Sequence, residues 1–127
     1  MVSDEDLQAG VEEWVDLLAA GRLREAAEWL YSPPGTEEVT AERIDALVQE
    51  DWWDKPGEGG RHVVTPRAEA IGAGPRCSVV RLDADTRAGS IHYDLPLDGH
   101  WSSLTAILEF KPVGDSTVIS LYDMHVL

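Results

Sequence analysis

The chain has 127 residues, 43% of them hydrophobic, one cysteine and a formal charge of −14, which fits a single globular domain with a sizeable core. The sign of the charge excludes nucleic-acid or anionic-membrane binding by counterion release. A lone cysteine excludes an internal disulfide or a cysteine metal cluster, and no apolar run reaches the ~18 residues of a membrane span.

Taken in chain order, the first ten residues, MVSDEDLQAG, are acidic where a signal peptide is basic, so a cytoplasmic protein is expected. Ser3 with Asp6 three residues on fits a capping box, and the acids suit the positive end of a helix dipole. Leu7, Val11, Trp14, Val15 and Leu18 then repeat at helical spacing, and Gly21 suits the left-handed position that closes the helix. A second short helix is predicted near Arg22–Tyr31, with Leu23, Ala26, Ala27 and Leu30 on one side. It stops at Pro33-Pro34, because proline cannot donate the next helical hydrogen bond. Thr40 caps a third helix with Ile44, Leu47, Val48 and Trp52 as its apolar positions. Pro56 and the glycines of residues 54–61 predict a mobile loop after it.

Beyond that loop the period changes from 3.6 to 2. Cys77–Asp83, Ala88–Leu95, Ser103–Lys111 and Thr117–Val126 read as strands, with a weaker fifth at His62–Thr65. The short links between them permit antiparallel neighbours only. The expected fold is therefore a single α+β domain, residues 1–127. Three N-terminal helices (residues 3–53) pack on one face of a curved antiparallel sheet of four to five strands (residues 62–127). Asp98-Gly99 reads as a turn, and His100-Trp101 as the entrance of a strand rather than a site. Cys77, in a valine-rich strand, reads as a small buried hydrophobe.

Three helices followed by an antiparallel meander resemble the cystatin-like cone of the nuclear transport factor 2-like superfamily. Residues 95–110, LPLDGHWSSLTAILEF, with the ending LYDMHVL, are similar to a group of small bacterial domains. In those domains a strand begins at Trp-Ser and the chain ends near Asp-x-His-Val. That likeness implies a cone-shaped fold and carries no reaction with it, because the superfamily includes ketosteroid-isomerase-like and cyclase-like enzymes, ligand binders and immunity modules.

The last hairpin holds the chain's one local rule-break. With Gly114-Asp115 at its turn, Phe110 faces Ile119, Leu108 faces Leu121, Ala106 faces Asp123 and Leu104 faces His125. Asp123 and His125 then fall on the apolar side. A carboxylate and an imidazole two residues apart on a strand could share a proton, as abstraction next to a carbonyl requires. Curling of the sheet rim, or a one-residue change of register, would instead turn both outward. His92 and Asp94 form a second pair. A turn at Asp85-Thr86 places them with Cys77 and Arg81, so an Arg81–Asp94 cross-strand ion pair is expected. As a metal site His92-x-Asp94 supplies two ligands where zinc needs at least three, and the two pairs are expected to face opposite ways. Neither a metal nor a cofactor is implied.

Five tryptophans are many for this length. Trp14 and Trp52 match core positions, whereas Trp29, Trp53 and Tyr31 could line the mouth of a cone above Leu104 and Leu108, or equally serve a dimer face. Residues 1–58 carry 16 of the 24 acidic side chains against four basic ones, a surface suited to a basic protein partner. Two functions follow as expectations. One is a non-catalytic module, immunity-like in one version, that binds a basic protein or a small apolar ligand and pairs as a homodimer through the exposed sheet face. The other is a cofactor-free isomerase, cyclase or hydratase using Asp123 and His125.

Overall fold

The structure is a computed structural model that describes residues 2–50, 61–82 and 86–126. Helix α1 (Asp4–Ala19) begins where the Ser3 hydroxyl accepts a hydrogen bond from the Asp6 N–H at 3.1 Å. It ends in a Schellman closure. Gly21 takes φ +76°, its N–H donates to the Leu18 carbonyl, and the Arg22 N–H reaches back to Leu17. Helix α2 (Leu23–Trp29) follows at once, and α3 (Ala41–Gln49) starts at Thr40, whose hydroxyl accepts from the Arg43 N–H. Trp52, Trp53 and residues 54–60 of the expected loop lie outside the described residues.

Four strands, β1 (Cys77–Arg81), β2 (Gly89–Leu97), β3 (His100–Val113) and β4 (Ser116–Val126), form an antiparallel meander in the order β1-β2-β3-β4. The class is α+β, three helices and a four-stranded open sheet among the described residues. The expected fifth strand reduces to a bridge between Val64 and Leu97, fastened by the Thr65 N–H to the Pro96 carbonyl. Four residues are too few to sustain a ladder here because Pro66 and a single 3₁₀ turn, Arg67–Glu69, follow immediately. No described helix is long and apolar enough to cross a membrane.

One apolar cluster joins the helices to the strands. It takes Leu7, Val11, Trp14, Val15 and Leu18 from α1 and Ile44, Leu47 and Val48 from α3. From the sheet come Ile91, Tyr93 and Leu95 of β2, Leu104, Ala106, Leu108 and Phe110 of β3, and Met124 of β4. Polar ties cross the same boundary. The Tyr93 hydroxyl donates to Glu12 of α1 at 2.9 Å, Arg67 reaches Glu12 and Asp16, and Arg81 binds Asp4. Burial, then the hydrogen bond to Glu12, pushes the Tyr93 phenol well above its ordinary range.

Two one-residue shifts decide which side chains share a face. Between β1 and β2 the register is Cys77 with Tyr93, Val79 with Ile91 and Arg81 with Gly89. Cys77 and Arg81 thus stand on the inner face, so the expected Arg81–Asp94 pair does not form. Val80 and Leu82, which a turn at Asp85-Thr86 would have put inside with Ile91 and Tyr93, are exposed. Cys77 is half-buried, and desolvation raises its thiol pKa. Between β3 and β4, Phe110 pairs with Ile119 and Leu108 with Leu121 as expected. Then Tyr122 is left over, and Ile107 pairs with Asp123, Ala106 with Met124 and Thr105 with His125. This β-bulge reverses the alternation, so Met124 enters the core and Asp123 and His125 leave it.

Candidate functional site: the polar outer face of the sheet

The bulge brings onto one face two pairs expected to face opposite ways. Across the outer face, Ser78, His92, Ile107 and Asp123 occupy successive cross-strand positions in one row. Asp94, Thr105 and His125 form the next. His92 and Asp94 therefore share a face with Asp123 and His125, against expectation, though a strand of β3 separates the two pairs. No three His, Cys, Asp or Glu side chains among the described residues come close enough to hold a metal ion.

At the β4 side, His125 Nδ1 lies 3.2 Å from Asp123 Oδ2, and Asp123 Oδ1 accepts from the Met124 N–H at 2.8 Å. Both side chains are about a third exposed, 33% for His125 and 38% for Asp123. The imidazole can orient on the carboxylate, but nothing apolar encloses the pair. A proton-transfer site needs a wall that excludes water and places a substrate, and an open strand edge supplies neither.

The β1–β2 side is built more tightly. Asp94, on an outer face that water could solvate, is only 6% exposed. Its Oδ2 accepts from Arg76 Nε at 2.6 Å and its Oδ1 from the Thr105 hydroxyl at 2.8 Å, while its own N–H donates to the Arg76 carbonyl. Arg76 is placed by the turn before β1, where Gly74 lies flat on the Trp101 indole. A Cβ there would fall 2.6 Å from the ring, so only glycine fits. Trp101 in turn stands edge-on to Tyr93, with centroids 6.4 Å apart. His100 is exposed, and the His100-Trp101 segment is a strand entrance, as read from the sequence. An open groove of about 340 Å³ runs beside this network, lined by Arg76, Cys77, Ser78, His92, Asp94 and Thr105. Arg76 and Ser78 were not singled out in the sequence. A lone Arg before a strand and hydroxyls within strands carry no periodic signal, and only the corrected β1 register aligns Ser78 with His92.

Among the described residues, those expected to line a cone mouth are not gathered into one cavity. Leu104 and Leu108 are 0% exposed and belong to the apolar cluster, because they sit on the inner face of β3, the central strand most covered by neighbours. Trp29 and Tyr31 instead border a shallow surface groove of about 370 Å³ with Thr117, Val118 and Ile119 of β4. The Tyr31 N–H is fixed to the Ile119 carbonyl, and the Lys111 ammonium sits 5.3 Å from the Tyr31 ring centroid. Trp53 lies outside the described residues.

A larger depression lies elsewhere, a cleft of about 730 Å³ between α2, residues 30–40 and the start of α3. Leu23, Ala27 and Val39 give it apolar lining. Glu28, Glu38 and Glu42 add carboxylates that make no ion pair or hydrogen bond among the described residues. The acidity of this half is legible in the sequence but the cleft is not, since between the stop at Pro33-Pro34 and the cap at Thr40 no periodic pattern shows how the chain turns. No family model, curated protein or solved structure matches the chain.

Proposed function

We propose that the chain is a non-catalytic binding module, built as a filled cone of the nuclear transport factor 2-like type, whose partner is a basic protein segment. The observation that carries this reading is the cleft between α2 and α3. Its apolar lining could take a side chain of the partner, while Glu28, Glu38 and Glu42 outnumber the one cation that lines it, Arg24, and make no ion pair among the described residues. The excess of acids in residues 1–58 would speed the approach of such a partner. An immunity-like role against a basic toxin is one version of this function.

The enzyme alternative draws on the 3.2 Å contact of His125 with Asp123. Against it stand their exposure and the solid packing of Leu104 and Leu108, where a substrate cavity would have to lie.

The test is an NMR titration of labelled protein with two synthetic peptides of equal positive charge, one alternating lysine with leucine and one lysine with serine. Binding in the cleft predicts saturable shifts at Leu23, Val39 and Tyr31 with the leucine peptide alone, weakened by added salt and by Glu38→Gln with Glu42→Gln. Equal responses to both peptides, or shifts centred on Asp4–Asp6 or on Asp123 and His125, would overturn the proposal.

A further inference from the structure

We infer that Arg76, Ser78 and His92 form a binding subsite for an oxyanion, the carboxylate or phosphate group of a small ligand, on the outer face of the sheet. The subsite is separate from the cleft between α2 and α3 and does not depend on it.

The argument starts from Asp94. A carboxylate on an outer strand face has no need of burial, yet this one is covered and both its oxygens are committed, one to Arg76 Nε and one to the Thr105 hydroxyl. Its main chain holds the same arginine, through the Asp94 N–H and the Arg76 carbonyl at 3.1 Å. Asp94 thus holds the Arg76 main chain and, through Nε alone, its guanidinium. Its two Nη groups bond to nothing among the described residues, and the side chain is 75% exposed. The free Nη edge of a guanidinium presents parallel N–H donors at the spacing of two oxyanion oxygens. Restraint by Asp94 removes much of the rotamer freedom that an arginine would otherwise lose on binding.

The surroundings match the same ligand. Ser78 and His92 are cross-strand partners that line the groove with Arg76, and neither side chain has a hydrogen-bond partner among the described residues. A hydroxyl and an imidazole can each donate toward an acceptor held by Arg76. The one carboxylate in the groove is already capped by two donors, so the groove offers a surplus of donors. Of the other acids on this face, Glu109 stands opposite Ser90, and Asp123 stands across Ile107 from His92 and is turned to His125; neither lines the groove. The charge of the acidic helical half is screened over the Debye length of ~8 Å at physiological salt. Recognition here is local, made by a prearranged fork and two flanking donors.

The experiment follows ¹H–¹⁵N spectra of the full chain at constant ionic strength as sodium chloride is exchanged for sodium phosphate or, in a second arm, sodium acetate. The subsite predicts saturable shifts of the Arg76 Nε–H signal and of the Ser78 and His92 amides. Tighter binding in one arm assigns the group as phosphate or carboxylate. Arg76→Lys, which leaves a cation beside Asp94, and Ser78→Ala, at an exposed position, are each expected to weaken binding about tenfold with the fold unchanged. Shifts that do not saturate in either arm, that are as strong in Arg76→Lys, or that appear equally at Arg61 and Arg67 would overturn the assignment.

Discussion

Replacing Tyr93 with Phe tests how the helices are tied to the sheet. The ring is fully buried and its hydroxyl donates to Glu12 Oε2 at 2.9 Å, while Arg67 Nη1 approaches the same oxygen at 3.4 Å. A hydrogen bond to a charged acceptor contributes about 1.5–3 kcal/mol. Glu12 keeps Arg67 and some access to water after the change, so the low end applies, about 1.5 kcal/mol. With an unfolding entropy of about 2.1 cal/mol/K per residue, that lowers Tm by about 6 °C at pH 7.

The pH dependence gives the sharper signature. Burial first, then the hydrogen bond and charge of Glu12, raise the phenol in the folded state, while Arg67 opposes the shift. A raised pKa means that above about pH 10 the unfolded chain releases a proton which the folded chain keeps. Its stabilising contribution is therefore complete below the unfolded pKa and falls by up to about 1.4 kcal/mol per pH unit above it. The Cys77 thiol, raised chiefly by burial and then by Glu12, adds the same sign from about pH 9, and does so in both proteins. The deficit of Tyr93→Phe should accordingly close between pH 10 and pH 11, as measured by urea unfolding at pH 7, 9, 10 and 11. In wild type, one of the three tyrosines should ionise only as the protein unfolds, a phase missing from the variant. A gap that stays constant from pH 7 to pH 11, or a variant at least as stable as wild type at pH 7, would refute the reasoning.

Other substitutions probe single statements about the fold. Leu108→Ala opens a hole in a solid core and should cost about 3 kcal/mol by chemical denaturation; a cost under about 1 kcal/mol would mean that a cavity already lies there. Gly89→Ala would drive a methyl into the Val80 carbonyl oxygen, so β1 must part from β2. A loss of at least about 2 kcal/mol and faster amide exchange at Val80 are expected, and unchanged exchange would contradict the pairing. Asp123→Asn and His125→Ala, each removing a partly exposed contact, should each shift stability by no more than about 0.5 kcal/mol. A larger loss would give the pair a structural role.

Where the sequence was legible, one local interaction decided the outcome. Ser3, Gly21 and Thr40 each mark a helix end by a cap that needs only its own neighbours, and the structure places caps at those residues. Strand positions were readable for the same reason, since alternation over five or more residues is a local property. Faces were not. The β1 register differs from expectation by one residue because the letters Asp-Ala-Asp-Thr-Arg do not fix how β1 connects to β2. One residue of slip exchanged Val80 for Val79 at the core. The outer-face network was hidden by the same slip, which gave Asp94 the wrong arginine. Arg76 lies before the strand proper, where no pattern points to it.

The larger misplacement, Asp123 and His125 on the apolar side, followed from counting β4 as regular. Two registers were open, regular from the turn onward or shifted throughout, and the strand uses each in turn, with Tyr122 as the joint. The apolar residues already required this. Ile119 and Leu121 favour one parity and Met124 the other, so no straight strand buries all three. A bulge reconciles them for one extra residue and local twist. Deletion of Tyr122 is then a decisive perturbation. In a regular strand, deleting a residue would carry Asp123 and His125 to the opposite face and Met124 out of the core. Here the deleted residue is the one without a partner. Leu121 still meets Leu108, Asp123 still meets Ile107, and Met124 stays inside. The shortened chain should unfold cooperatively within about 2 kcal/mol of wild type, with the Met124 methyl still showing the chemical shift of a buried group. A chain that fails to fold, or whose Met124 methyl becomes solvent-exposed, would show that the alternation of β4 is set by something other than the bulge.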